Sequence, residues 1–174
     1  MALVRACVKE TVPVGIAAVC PVPDDVSAES PLLVEFWPRL GDDDLDASTL
    51  PDTVAMTMLS DAGDDTARFG AGPDFYNGFT GVDKVWGGGG NDWIRAGKGD
   101  DLVWGGDGDD QLVGTEGQDT FYGDAGDDLL GGGVGNDILD GGPGTDLIRC
   151  ESGNDSVLAD LLDRLRACEH VTKP

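Results

Sequence analysis

Aspartate recurs at a fixed interval through much of this chain: Asp65, Asp74, Asp83, Asp92, Asp101, Asp110, Asp119, Asp128, Asp137, Asp146 and Asp155 are each nine residues apart. A glycine stands two residues before every one of them, from Gly63 to Gly153. Two residues after each stands an apolar side chain: Ala67, Tyr76, Val85, Ile94, Val103, Leu112, Phe121, Leu130, Leu139, Ile148 and Val157. Carboxylates set at regular spacing among glycine turns suit the holding of cations. Asp also makes turns on its own account, but turn-making would not demand it at one position eleven times.

Catalysis fares badly by comparison. His170 is the one histidine, so no HExxH zinc motif exists, and no GxSxG elbow occurs. The run Gly87–Gly90 is not followed by GK[ST] and is no phosphate loop. Cys7, Cys20, Cys150 and Cys168 lack CxxC spacing, against zinc or thioredoxin chemistry. Acidic pairs such as Asp109–Asp110 read as ligands or solvated charge. The chain is expected not to be an enzyme.

The elements that position these carboxylates follow from the same period. Residues Ser60–Leu158 divide without remainder into eleven nonapeptides, numbered here one to eleven, and hold 26 of the 28 glycines. Glycine takes φ > 0 and lets the chain curl tightly. In a three-residue strand only the middle side chain faces one side, so the position-eight residues must line an interior. A single coil cannot bury that face, so coils must stack. Composition agrees: 34 acidic against 11 basic residues give a net charge of −23, which repels nucleic acid. The longest apolar stretch, Val12–Val22, is broken by Pro13 and Pro21 and too short for a membrane span.

The array resembles the RTX family of calcium-binding nonapeptides, GGxGxDxUx. The resemblance implies an all-β fold, a right-handed parallel β-roll in which six residues of each repeat turn and three form a strand. Odd repeats then build one sheet and even repeats the other. It implies a secreted bacterial protein with Ca²⁺ between stacked turns, which lie ~4.8 Å apart. The ligands carried over are the eleven position-six carboxylates and turn carbonyls such as those of Gly88, Gly90, Gly97, Gly99, Gly106 and Gly108. Ca²⁺ takes six to eight such oxygens. Six odd and five even turns leave nine gaps, so several Ca²⁺ and at most nine are expected. Pro73, Phe79 with Val82, and Thr115 depart from the pattern and put nearby sites in doubt.

The expected domains are an N-terminal β-rich cap over residues 1–50, the roll over 51–158 and a C-terminal cap over 159–174. Strands are expected at Leu32–Trp37 and Val54–Leu59, with Met58 facing inward, and Gly41–Asp46 reads as a compressed repeat. Leu158, Leu161, Leu162 and Leu165 have helical spacing. Asp163-Arg164-Leu165, however, repeats Asp155-Ser156-Val157 one residue short of register, and a degenerate coil is the favoured reading. Val8–Val22 makes a poor signal peptide, so the export signal is expected outside this chain, with Met1 an added start. Disulfides are expected between Cys150 and Cys168, one coil apart, and between Cys7 and Cys20.

Position nine points outward and holds Trp86, Trp104 and Tyr122 in consecutive coils of one sheet; Phe75 and Trp93 line up on the other. Such ladders either brace the sheets or form a docking face for an extracellular glycan or protein. The function expected is a secreted, calcium-binding structural or interaction module that is largely unfolded without calcium. The alternative is the accessory roll of a secreted hydrolase whose catalytic domain lies elsewhere. Ice binding is disfavoured, because outward positions carry no rows of Thr.

Overall fold

The computed structural model describes residues 32–38 and 40–173. Two eight-stranded sheets, parallel throughout, face each other across a thin core. One sheet contains, in order, β1 (Leu32–Phe36), β3 (Val54–Leu59), β5 (Phe75–Asn77), β7 (Trp93–Arg95), β9 (Gln111–Val113), β11 (Leu129–Val134), β13 (Leu147–Ser152) and β15 (Arg164–Arg166). The other runs from β2 (Asp44–Asp46) through β4 (Thr66–Arg68), β6 (Lys84–Gly89), β8 (Leu102–Asp107), β10 (Thr120–Ala125), β12 (Ile138–Asp140) and β14 (Ser156–Leu158) to β16 (His170–Thr172). The chain alternates between the sheets at every turn. This is a parallel β-solenoid of about eight coils.

Register follows the doubled nonapeptide. Val85 pairs with Val103, and Ile94 with Leu112, each 18 residues on. The position-eight side chains from Ala67 to Val157 are all at most 2% exposed, and they form one continuous core with Met58 and Phe69. Several strands are longer than the three residues the repeat predicts. In β6, β8 and β10 pairing continues into the turn, with Gly106 opposite Gly88 on one side and Asp124 on the other, because the glycine backbone stays close to the next coil.

The flanks continue the same ladders. β1 and β3 stand where strands were expected, and Met58 is fully buried opposite Tyr76. β2, inside the compressed repeat, pairs with β4 at an offset of 22 residues rather than 18, Asp44 lying opposite Thr66. At the other end β15 pairs with β13 at an offset of 17, Ile148 opposite Leu165, so the one-residue deletion is absorbed in the turn and the degenerate coil is what forms. No helix occurs among the described residues. Cys150 and Cys168 are joined by a disulfide, with Cα atoms 5.1 Å apart. The Cys7–Cys20 pair lies outside the described residues.

Candidate metal centre

All eleven position-six aspartates are buried, at 4% exposure or less, in two columns, one along each edge of the solenoid. One oxygen of each carboxyl has a structural task. The N–H of Asp92 donates to Asp110 Oδ1 at 2.8 Å, that of Asp110 to Asp128 Oδ1 at 2.8 Å, and that of Asp83 to Asp101 Oδ1 at 2.8 Å. Each carboxylate thus satisfies the backbone of the preceding coil, which answers an N–H that no strand partner reaches. Asp43 and Asp163 extend these columns at their ends, since Asp43 N–H donates to Asp65 Oδ1 and Asp146 N–H to Asp163 Oδ1. Neither was among the eleven aspartates of the nonapeptide array. The signals were a Gly two residues before Asp43 and the displaced Asp-Arg-Leu at Asp163.

The second oxygen is the chemically active one. Oδ2 of Asp65, Asp83, Asp92, Asp101, Asp110, Asp119, Asp128, Asp137, Asp146 and Asp155 is buried with no hydrogen-bond partner. A buried carboxylate oxygen without a partner costs several kcal/mol relative to water, ~2–7 on transfer scales for even a neutral polar group. Nature rarely leaves one orphaned, and here the same atom is orphaned in coil after coil. Burial pushes the Asp92 carboxyl up to about 9 and Asp101 to about 8, with repulsion from the column neighbours adding to it. Asp119 and Asp146 rise to about 7, again chiefly by burial. The backbone N–H bonds to Oδ1 pull the other way and lose.

Two glycine positions of the turns, position four in every repeat and position one in seven of the eleven, have a steric reason. A Cβ at position four would collide with the carbonyl of the same position one coil earlier, as Gly81 would with Gly63. A Cβ at position one would collide with the orphaned carboxylate oxygen: Gly87 with Asp92 Oδ2 and Gly105 O, Gly123 with Asp128 Oδ2 and Gly141 O. The absent side chain is what lets a carboxylate oxygen and a carbonyl oxygen converge. Among the described residues no three Asp, Glu, His or Cys side chains cluster as a metal site would need. A cation held here would draw on one column carboxylate per turn and on backbone carbonyls, an all-oxygen set that suits a hard ion such as Ca²⁺. The residues fit the ion.

A second ladder was not foreseen. Position five carries Asp or Asn in most repeats, and these side chains bond forward: Val82 N–H to Asp64 Oδ1, Gln118 N–H to Asp100 Oδ1, Asp127 N–H to Asp109 Oδ1, Thr145 N–H to Asp127 Oδ1. The two ladders run in opposite directions and pin adjacent coils from both sides. The bias toward Asp and Asn at position five was the available signal.

Outside the columns, Trp86 and Trp104 stack at 4.7 Å and 6°, and Trp104 and Tyr122 at 5.8 Å and 13°. Arg68 caps the free face of Trp86 at 4.8 Å. The ring faces therefore cover one another, and the ladder offers mainly edges to solvent. Phe75 and Trp93 meet edge to face at 5.1 Å.

Stacked coils, an oxygen-lined edge and glycines wherever a Cβ would clash define a solenoid of turn-and-strand calcium-binding repeats. The family described as the RTX calcium-binding nonapeptide repeat matches in four copies, over residues 77–112, 104–139, 113–148 and 132–157. Together those copies span residues 77–157, all within the eleven-nonapeptide array. No curated protein and no solved structure matches the chain. No helix among the described residues is long and apolar enough to cross a membrane.

Proposed function

We propose that this protein is a secreted module that binds several Ca²⁺ ions between stacked turns, and that binding drives its folding. The observation that carries this reading is the repeated orphan, Oδ2 of the column aspartates, buried and unpartnered from coil to coil. Without a cation those carboxylates must be protonated or must repel one another across one coil spacing of ~4.8 Å. With a cation each becomes a ligand, and binding free energy becomes folding free energy. The ligands in this reading are the column carboxylates together with turn carbonyls such as Gly88, Gly90, Gly106 and Gly108. The family is typical of secreted bacterial proteins, and Ca²⁺ outside a cell would set the switch. The aromatic ladder braces its sheet.

Circular dichroism of the full chain in chelator, then with millimolar Ca²⁺, tests the proposal. The expected result is a weak β signal that rises cooperatively with added calcium. A full β signal in chelator that calcium leaves unchanged would overturn it.

A further inference from the structure

The two inward rows of the solenoid begin and end half-covered. Register carries one row from Phe36 on β1 to Leu165 on β15, and the other from Leu45 on β2 to Val171 on β16. Between these ends, from Met58 and Ala67 onward, each inward residue is at most 2% exposed. The ends differ: Phe36, Leu45 and Leu165 are only partly buried, and Val171 is 39% exposed. An inward side chain of a solenoid is covered by its counterparts one coil before and one coil after, and these four have a counterpart on one side only. Their strands also end the sheets, β1 and β2 at one end of the molecule and β15 and β16 at the other. Such edges are templates for another chain.

The two ends carry opposite charge along the outward rows. The row that begins at Glu35 finishes at Arg164, and the row that begins at Asp44 finishes at His170. Arg166 lies directly opposite Arg149, an arrangement of like charges that destabilises a sheet. The two ion pairs among the described residues, Arg68–Asp44 and Lys98–Glu116, use none of these arginines. The row that ends in Arg166 would continue onto Trp37, which follows Phe36 and is 66% exposed. The chain starts in one sheet and finishes in the other, so a copy translated along the axis continues both without breaking their alternation. The opposite arrangement, last coil against last coil, would set Arg164 and Arg166 against their own counterparts. The net charge of −23 opposes contact at long range. Salt screens it beyond ~8 Å under physiological conditions, whereas paired strands lie ~4.8 Å apart.

We propose that the two ends of this solenoid dock on each other, so that the partner of the last coil is the first coil of a second copy of the chain. β15 then pairs with β1 and β16 with β2 of the next copy, setting Arg164 on Glu35, Leu165 on Phe36, Val171 on Leu45 and Arg166 beside Trp37. A head-to-tail contact of this kind does not close on itself, and the product is an open linear stack. The inference rests on the fold and not on the calcium reading.

Sedimentation velocity of the full chain in millimolar calcium, over rising protein concentration, tests it. The sedimentation coefficient should climb past that of a dimer, and hydrogen exchange should slow over the same range in β1, β2, β15 and β16. Glu35→Arg and Arg164→Glu, both at exposed positions, should each weaken association about tenfold. The double variant restores opposite charges and should recover it. A chain that stays monomeric at every concentration overturns the proposal, and that is the outcome if residues 1–31 cover the first coil. A series that stops at the dimer, or single and double variants that associate alike, also overturns it. So does protection in the parent chain that rises elsewhere but not in these four strands, a result that needs no variant.

Discussion

Two oxygens of one side chain divide the labour of this fold. Oδ1 of each column aspartate closes a backbone hydrogen bond, so replacing the residue by Ala would strip structure and ligand together, whereas Asn keeps an acceptor and removes the charge. The orphaned Oδ2 also fixes a pH dependence. In chelator the folded state holds protons on Asp92, Asp101, Asp119 and Asp146 up to about 9, 8, 7 and 7, while the unfolded chain releases them near the ordinary value of 3.8. The folded state therefore binds more protons, and stability falls as pH rises. The contribution is complete below pH 3.8 and lost as pH climbs through 7 to 9. Circular dichroism in chelator should show more β signal at pH 5 than at pH 8.5, because protons on the column aspartates partly replace the cation; an equal or weaker signal at pH 5 contradicts the assignment. With calcium the sense reverses, because protons then compete with the ion.

Backbone conformation supplies a second prediction at this scale. Position two takes positive φ in most repeats, and Phe79 adopts it at 61° where Gly88 and Gly106 serve elsewhere. A bulky L-residue pays about 1–2 kcal/mol there, and Phe79 is half exposed, so little burial offsets the strain. Phe79→Gly should raise the calcium-loaded melting temperature by about 2–4 °C. Gly81→Ala is the opposite case, since φ is 144° and the new methyl would meet Gly63 O. It should destabilise by more than about 3 kcal/mol, read from denaturant unfolding in calcium.

Strands here are too short to stand alone, and three residues acquire meaning only through neighbours one coil away. The aromatic ladder shows how one outward position can staple three coils. Trp104 stacks on both Trp86 and Tyr122, and each such pair contributes about 0.5–1.5 kcal/mol beyond its buried area. Trp104→Ala should therefore cost about 1–3 kcal/mol, more than Tyr122→Ala, which loses one partner. A double-mutant cycle with Trp86 should return a coupling of the single-pair size, and near-UV dichroism should lose the signal of the stacked indoles. Equal costs for Trp104→Ala and Tyr122→Ala would refute the ladder as a bracing element.

At the scale of the molecule, a solenoid is only as ordered as its ends. The last coil holds exposed Leu161 and Leu162, and its inward Val171 is 39% exposed, so little apolar burial secures it. The Cys150–Cys168 bond ties that coil to the buried core through Cys150, which is fully buried. A disulfide closing a loop of this size contributes about 2–4 kcal/mol. Reduction in calcium should expose Arg164–Thr172 to hydrogen exchange before Leu147–Ser152, leaving the middle coils protected. Uniform loss of protection would mean that the coils open as one unit.

The sequence by itself determined the solenoid, because a nine-residue period with one apolar position leaves no other face to bury and no other register to pair. It also determined the position-six carboxylates as the candidate ligands, since Gly at position four and Asp at position six repeat without exception. Even the degenerate last coil was legible, from the displaced Asp163-Arg164-Leu165. Only the tertiary structure decided the rest. Which carboxylate oxygen bonds backbone and which is left over depends on contacts 18 residues apart, and so does the forward ladder at position five. The contacts of the Tyr76 hydroxyl with Ser60 and of the Thr115 hydroxyl with Gly97 O join residues 16 and 18 positions apart, a relation that a one-dimensional pattern does not contain. The stacking of Trp86, Trp104 and Tyr122 was implied by register, yet whether they show faces or edges was set by rotamers packed one on another. A period fixes where backbones lie; what fills the spaces between coils is fixed by three-dimensional packing.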